Sequence, residues 1–310
     1  SKKQPIKVEK LTRPQGLRMA LEELGPTYIK LGQILSTRPD LIPVDFLQEL
    51  SKLQDKVPPF PAHAARKIIE TELGVMPENL FTQFDDTPLA SASIGQVHRA
   101  QLQDGREVAL KVQRPGIQKV IEVDLEIMLH LATLMEHHIE ELAFHRPIKI
   151  VEEFARTLEK ELDYLLEAAN MERAALNFSD DPSTYIPAVF RELSTTRVLT
   201  TECVKGIKVS DIGQLDVAGL DRKLITSRGA DILLRMIFEH GFFQADPHPG
   251  NIFVLPDNVI CLIDFGMVGS VDRQTRETFV DLLDGIVKKD APKVALVLLQ
   301  LTDWEEEPDS

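Results

Sequence analysis

ADPHPGNIFVLPDNVICLIDFG, residues 245–266, decides how the rest of the chain is read. Asp246 and Asn251 stand five residues apart in a stretch broken by Pro247, Pro249 and Gly250. Two short apolar runs come next, Ile252–Leu255 and Val259–Ile263, joined by Pro256-Asp257-Asn258. Short runs bounded by such turn formers read as a tight hairpin, and Asp264-Phe265-Gly266 closes it. An amide oxygen on Asn251 and a carboxylate on Asp264 suit a hard cation that keeps its waters and bridges phosphates. Asp-Phe-Gly alone fits an ordinary hairpin with turn carboxylates equally well. The array as a whole, at this spacing, favours the metal reading.

Composition narrows the classes. The 310 residues, 43% hydrophobic, are enough for one bilobal domain or two small ones. A net charge of −14 argues against a general nucleic-acid binder. Lys2, Lys3, Lys7 and Lys10 read as a solvated basic terminus. Cys203 and Cys261 each fall in a predicted strand, so buried thiols are expected in place of a disulfide framework. No run of 18 apolar residues and no secretory leader is read in the sequence.

Residues 14–37 carry Leu17, Leu21, Leu24, Tyr28, Leu31 and Leu35 at helical spacing, and Gly25-Pro26 splits them into two helices. Lys30 and Gln33, three apart in Lys30-Leu31-Gly32-Gln33, are neighbours off the apolar stripe. Further helices are expected near Val44–Leu53 and over 62–73, with the stiff Pro58-Pro59-Phe60-Pro61 between them. From Leu89 the period changes to two. Ser93–Leu102 and Arg106–Gln113 read as strands joined by Asp104-Gly105. Ahead of them, the small residues of Ala90-Ser91-Ala92-Ser93-Ile94-Gly95-Gln96-Val97 let a backbone approach a ligand. Val108, Leu110 and Val112 share one strand face, and Ala109 and Lys111 the other. Lys111 therefore points where the small-residue loop would cover a nucleotide, and Val-Ala-Leu-Lys resembles the kinase strand whose lysine reaches the phosphates.

Ile117–His138 and Ile150–Phe178 read as long helices. In the second, Leu158, Leu162, Leu165 and Ala169 form an apolar stripe, and Asp163, Glu167 and Asn170 a polar one. Carboxylates so close to a core need cations or water, and Lys111 and Lys30 are the unclaimed cations. Tyr185–Arg191 and Arg197–Thr201 look like strands. The second runs into Glu202-Cys203-Val204-Lys205-Gly206, a plausible hinge whose backbone at Glu202 and Val204 would meet adenine. Helices are expected over 217–240, Arg273–Lys289 and Pro292–Leu301.

These motifs together resemble the UbiB family, also called ABC1 or ADCK, of atypical kinase-like proteins. They are KLGQ at 30–33, SASIGQV at 91–97, VALK at 108–111, ELDY at 161–164, Glu167 with Asn170, ADPHPGN at 245–251 and DFG at 264–266. The resemblance implies an α+β, protein-kinase-like bilobal fold with a helical extension over the nucleotide cleft. It is parsed as an extension to residue 75, an N-lobe over 76–203 and a C-lobe over 204–310. It implies that Lys111 pairs with Glu167 and contacts ATP phosphates, and that residues 90–95 stand in for a glycine-rich loop. Val97 and Ala109 would line the nucleotide. Asp246 would sit at the catalytic-base position, and Asn251 and Asp264 on Mg2+. Lys30 and Gln33 would belong to a regulatory lid, with Lys30 meeting Glu161 and Asp163. The helical stripe leaves Glu161 on a different face from Asp163 and Glu167.

Departures from the kinase pattern bear on the acceptor. Ser91 interrupts the alanine run often seen in the loop, which leaves ATP or ADP open as the nucleotide. No His-Arg precedes Asp246, no Ala-Pro-Glu comes after it, and Asp-Phe-Gly leads almost directly into a helix. Protein phosphorylation in trans is therefore disfavoured relative to transfer to water or a small lipid-like molecule. The resemblance implies an ATPase or small-molecule kinase in prenyl-quinone synthesis. Its partners would be a membrane lipid or quinone precursor and quinone-biosynthesis proteins, met at a membrane through regions outside this chain or peripheral contact. The alternatives are a nucleotide-binding scaffold without turnover and a true protein kinase.

Overall fold

A computed structural model describes residues 11–53, 57–139, 146–245 and 247–301. The chain divides into two compact units. The first comprises the described residues up to Leu166 together with Val189–Cys203, and the second comprises Glu167–Ala188 and the described residues from Val204 on.

The first unit is built on an antiparallel sheet of β1 (Phe81–Phe84), β2 (Ala90–Ser91), β3 (Gly95–Leu102), β4 (Glu107–Gln113) and β6 (Val198–Glu202), ordered β1-β3-β4-β6 with β2 also on β3. Asp104 accepts the Arg106 amide at 3.0 Å in the β3–β4 turn, as an aspartate in a tight turn does. Alternation puts Val108, Leu110 and Val112 in a core with Ala65, Ile68 and Ile69 of α4 (Ala62–Leu73). Lys111 and Ala109 take the other face. The helical part begins with α1 (Arg13–Leu24), α2 (Pro26–Leu35) and α3 (Val44–Leu50), broken at Gly25-Pro26 as the sequence predicts. Gly32 in α2 is a packing requirement, since a Cβ there would run into Leu53 and Leu21 side chains. Tyr28, Leu31 and Ile34 pack with Ile94 against Ile117, Ile121 and Met128 of α6 (Ile117–His138) and Phe154 and Leu158 of α7 (Pro147–Glu161). Thr27 donates to Asp124 on α6 at 2.5 Å.

The single helix expected over Ile150–Phe178 is instead two. After α7 the chain turns at Leu162-Asp163 and restarts as α8 (Tyr164–Asn177). Asp163 accepts the Leu165 amide on its carboxylate at 3.0 Å and the Leu166 amide on its carbonyl at 3.0 Å. An aspartate competes with a continuing helix in this way and favours a new start. The polar stripe of Asp163, Glu167 and Asn170 is therefore broken at its first member. The strand expected at Tyr185–Arg191 shortens to β5 (Thr184–Tyr185), with Arg191–Leu193 a 3-10 turn. Pro187 lies between them and has no amide to donate.

In the second unit β9 (Ile252–Leu255) and β10 (Val259–Leu262) form the expected hairpin, with β5 parallel to β10 and β7 (Ile207–Lys208) on β9. The helix expected over 217–240 is α9 (Ile212–Val217), then α10 (Arg222–Leu234) capped by Asp221, then a π-helical turn over Arg235–His240. β8 (Phe242–Gln244) pairs antiparallel with β11 (Val268–Ser270), a ribbon that the sequence pattern does not announce. The chain continues through α11 (Arg273–Lys288) and α12 (Ala291–Leu301). Among the described residues no helix is long and apolar enough to cross a membrane.

His98, with 0% exposure in β3, joins the sheet to its edge. Its Nδ1 lies 2.8 Å from the Asp85 carbonyl, its Nε2 lies 2.7 Å from the Gln96 amide nitrogen, and its ring stacks on Phe84. Nδ1–H thus donates, Nε2 accepts, and the ring is neutral. Burial pushes its pKa below the ordinary 6.5, so the unfolded chain takes up a proton the folded one refuses. The His98 contribution is complete above pH 6.5 and is lost as pH falls below it, at up to about 1.4 kcal/mol per pH unit. Urea unfolding from pH 8 to pH 5 should show this slope, and His98→Asn, which keeps a donor toward Asp85 but cannot titrate, should flatten it.

Candidate active site

The first unit holds a lysine, a small-residue loop and a helix with a second lysine. Lys111 stands opposite Val97 on β3 and Leu199 on β6. Its amine lies 5.2 Å from the ring centroid of Tyr164, a cation–π distance. Tyr164 is buried because α8 starts beneath the sheet, where its amide donates to the Thr196 carbonyl at 3.1 Å. The loop before β3 is tight. Leu89 donates to the Val97 carbonyl at 2.7 Å, Ala92 to the Gly95 carbonyl at 2.8 Å, and Ser93 is buried. A Cβ at Gly95 would lie 2.5 Å from the Tyr164 hydroxyl and 2.6 Å from the Val112 carbonyl. The smallness of residue 95 is therefore demanded both by the Tyr164 hydroxyl and by the Val112 carbonyl.

Lys30 on α2 meets Glu161 at the end of α7, Nζ to Oε1 at 2.7 Å, with side chains only 11% and 9% exposed. Asp163 caps α8. Gln33 reaches the Leu53 carbonyl at 3.5 Å, at the outer limit for a hydrogen bond. At the end of β6, Glu202 is half-buried, and the next amide, that of Cys203, is taken by the Glu107 carbonyl at 3.0 Å.

The second unit holds a carboxylate and an amide side by side. Asp264 accepts the Gly266 amide on Oδ1 at 3.0 Å and the Asn251 amide on Oδ2 at 3.2 Å. Its main-chain carbonyl accepts from Gln244, itself buried on β8. Phe265 is fully buried, and its carbonyl accepts from Asn170 at 3.0 Å. Glu167 is 3% exposed, and a Cβ on Gly266 would stand 3.7 Å from its Oε2. Asn251 is held from both sides, its amide donating to the His248 carbonyl and its carbonyl accepting from Ile263. Val204 is half-buried at the start of this unit's second segment. Asp246 lies outside the described residues.

The Asn251–Asp264 pair fits a small hard cation. Both offer oxygen once the Asn251 amide turns over, a rotation that exchanges nearly isosteric atoms. Among the described residues no group of three His, Cys, Asp or Glu is placed to hold a metal, and one amide oxygen with one carboxylate suits a cation completed by water and phosphate oxygens.

Several supporting residues carry no role in the motif reading, two of them within motifs (Tyr164 in ELDY, Gln96 in SASIGQV) and Gln244 outside them. Tyr164 supports Lys111 and Gly95. Gln244 fixes the Asp264 main chain. Gln96, also buried, clamps Phe60 by accepting its amide and donating to its carbonyl, both at 3.1 Å. The available signal was a polar amide at an inward strand position, which demands a partner.

Residues 52–298 match the ABC1 atypical kinase-like domain. A "Probable protein kinase UbiB" of Aeromonas salmonicida is 45% identical over 299 residues, which cover 95% of this chain and 54% of that protein. The chloroplastic "Protein ACTIVITY OF BC1 COMPLEX KINASE 8" of Arabidopsis thaliana is 43% identical over 92% of this chain and 38% of its own length. Among solved structures, the Rv3197–erythromycin complex from Mycobacterium tuberculosis matches with a TM-score of 0.65 at 30% identity, covering 92% of this chain and 72% of that one. The chain spans about half the length of the curated bacterial relatives it matches. With these likenesses the α+β fold is protein-kinase-like, as the motifs led us to expect.

The geometry at Gly95 and at Lys30 sets two expected outcomes. Gly95→Ala should cost about 1–3 kcal/mol through overpacking. Chemical denaturation should show only partial recovery in a Tyr164→Phe background, because the Val112 carbonyl still blocks the methyl. Lys30→Met should cost about 3–5 kcal/mol by stranding a buried carboxylate, and adding Glu161→Leu should return most of it. A double-mutant cycle by thermal or urea unfolding measures both.

Proposed function

The chain belongs to the ABC1 atypical kinase-like family, and from that premise we propose that it binds Mg-ATP and transfers the terminal phosphoryl group to water or a small molecule. The Asn251–Asp264 pair, with Asp264 pinned at both carboxylate oxygens and at its carbonyl, is the observation that carries this reading. Bound magnesium supplies charge neutralisation along the phosphates. Asn251 and Asp264 hold it. Lys111, on the strand beside the small-residue loop, meets the α/β-phosphates, and Glu167 orients that lysine. Asp246 aligns the acceptor and takes its proton. Residues 90–95, Val97, Ala109 and the backbone at Glu202 and Val204 receive the nucleotide.

A small acceptor is favoured by the short run of chain after Gly266. Met267 leads straight into β11 at 268–270, and Asp272 caps α11 through the Thr275 amide at 2.9 Å. Little chain is left there for a protein-docking segment. We take the setting to be prenyl-quinone biosynthesis or lipid handling at a membrane, as the family resemblance implies. The lid formed by Lys30, Gln33 and Glu161, with Asp163 setting the end of its partner helix, would tune nucleotide selectivity.

The test uses the longest native chain, with Mg-ATP binding and hydrolysis measured separately. Asp264→Ala and Asn251→Ala should each weaken magnesium-dependent nucleotide binding. Asp246→Asn should keep binding and lose turnover by about 10²-fold or more. An Asp246→Asn chain that binds nucleotide and retains full function in cells would replace this reading with that of a scaffold. Phosphate transfer to a separate protein, abolished by Asp264→Ala, would replace it with that of a protein kinase.

A further inference from the structure

One cation close to the small-residue loop takes no part in the phosphoryl chemistry. Arg114 immediately follows β4. Its Nη2 donates to the Ala92 carbonyl at 3.2 Å and to the Pro58 carbonyl at 3.1 Å, and its Nε donates to the Ser93 carbonyl at 3.3 Å. Its main-chain amide donates to the Ile94 carbonyl at 2.7 Å. The guanidinium also lies over the Phe60 ring, 5.3 Å from the centroid. Burial lowers its pKa from the usual arginine range.

Three successive loop carbonyls, those of Ala92, Ser93 and Ile94, thus turn toward one residue. In a planar trans peptide the next N–H points the opposite way, and no cis bond occurs among the described residues. The Ser93 and Ile94 amides, next to the two carbonyls that the guanidinium holds, are consequently directed away from it. Consecutive amides aimed in one sense make an anion-binding concavity. The same Nη2 that holds Ala92 also holds Pro58, and Gln96 clamps Phe60 two residues on. The loop and the linker after the helical extension are therefore fastened at one point.

We propose that Arg114 is a positioning residue that sets these two amides for nucleotide phosphates and couples them to the linker at 57–61. The proposal rests on the nucleotide reading above. Arginine is required for its planar fork, because a lysine ammonium has no second nitrogen held in one plane to keep Ser93 while the first bridges Ala92 and Pro58.

The experiment uses the longest native chain with magnesium and a non-hydrolysable ATP analogue. Arg114→Ala and Arg114→Lys are compared with wild type by calorimetric affinity, thermal unfolding without nucleotide, and amide hydrogen exchange. Wild type should bind and slow exchange at Ser93 and Ile94 and at the two linker amides, those of Val57 and Phe60. Arg114→Ala should bind at least tenfold more weakly and lose the slowing in both segments, with a cooperative unfolding transition retained. Arg114→Lys should recover less than half of the affinity. Wild-type affinity in a folded Arg114→Ala chain, or full recovery by lysine, overturns the proposal. If Arg114→Ala does not fold, the Arg114→Lys affinity and exchange decide in the same terms. A wild-type chain that binds no magnesium nucleotide removes the nucleotide reading itself, which is a separate failure.

Discussion

The Asp163 carboxylate stops one helix and starts the next, and most of the first unit's geometry depends on that change of phase. Before it, α7 ends with Glu161 against Lys30. After it, Tyr164 opens α8 under the sheet, where its ring receives the Lys111 amine and its hydroxyl, with the Val112 carbonyl, limits the size of residue 95. The chain crosses the sheet end at this point. The Gln113 side-chain amide, buried on β4, donates to the carbonyls of both Leu162 and Thr196. A carbonyl freed by a helix break inside a protein must find a donor, and Gln113 supplies it. An uninterrupted helix would carry residues 161 and 164 on with no change of phase.

That break explains which features are legible in the sequence. Punctuation is legible where it is chemical. Asp104-Gly105 names the β3–β4 hairpin, Gly25-Pro26 splits the first two helices, and the array from 245 to 266 leads to a hairpin ending beside Asn251. The Leu162-Asp163 break is not legible, because Leu158, Leu162 and Leu165 keep a helical spacing straight through it. Periodicity reports which residues face inward and does not register a turn that preserves the count. The β8–β11 ribbon escapes notice for a related reason. Its strands are short, and its pairing joins segments on either side of the β9–β10 hairpin. The strand expected at Tyr185–Arg191 fails through Pro187, whose missing amide limits pairing there to one bridge between Val189 and Thr201.

Neutral amides recur wherever the backbone near the candidate site has to be held. Gln96 holds Phe60, Gln113 holds the helix break, and Gln244 holds the Asp264 carbonyl. All three are buried. A buried glutamine donates and accepts without the desolvation penalty of a charge, and leaving its partner unmet costs about 1–3 kcal/mol. Charge is then concentrated on Lys30, Lys111, Glu161, Glu167 and Asp264. The sequence motifs display the charged residues well. Their neutral supports are visible only as glutamines at inward strand positions.

Ile94, at the tip of the small-residue loop, shares an apolar cluster with Leu31 and Ile34 of the second helix. Gly32, between those residues, is closed in by Leu53 and Leu21. The helical extension is therefore no loose cap laid on a finished domain. Its leucines are part of the floor on which the loop rests, so stripping it away by proteolysis or truncation would leave an oily, unsupported edge where an ordered backbone is needed. Extension and loop thus pack as one piece, and a change in the girth of residue 94 is felt on the second helix.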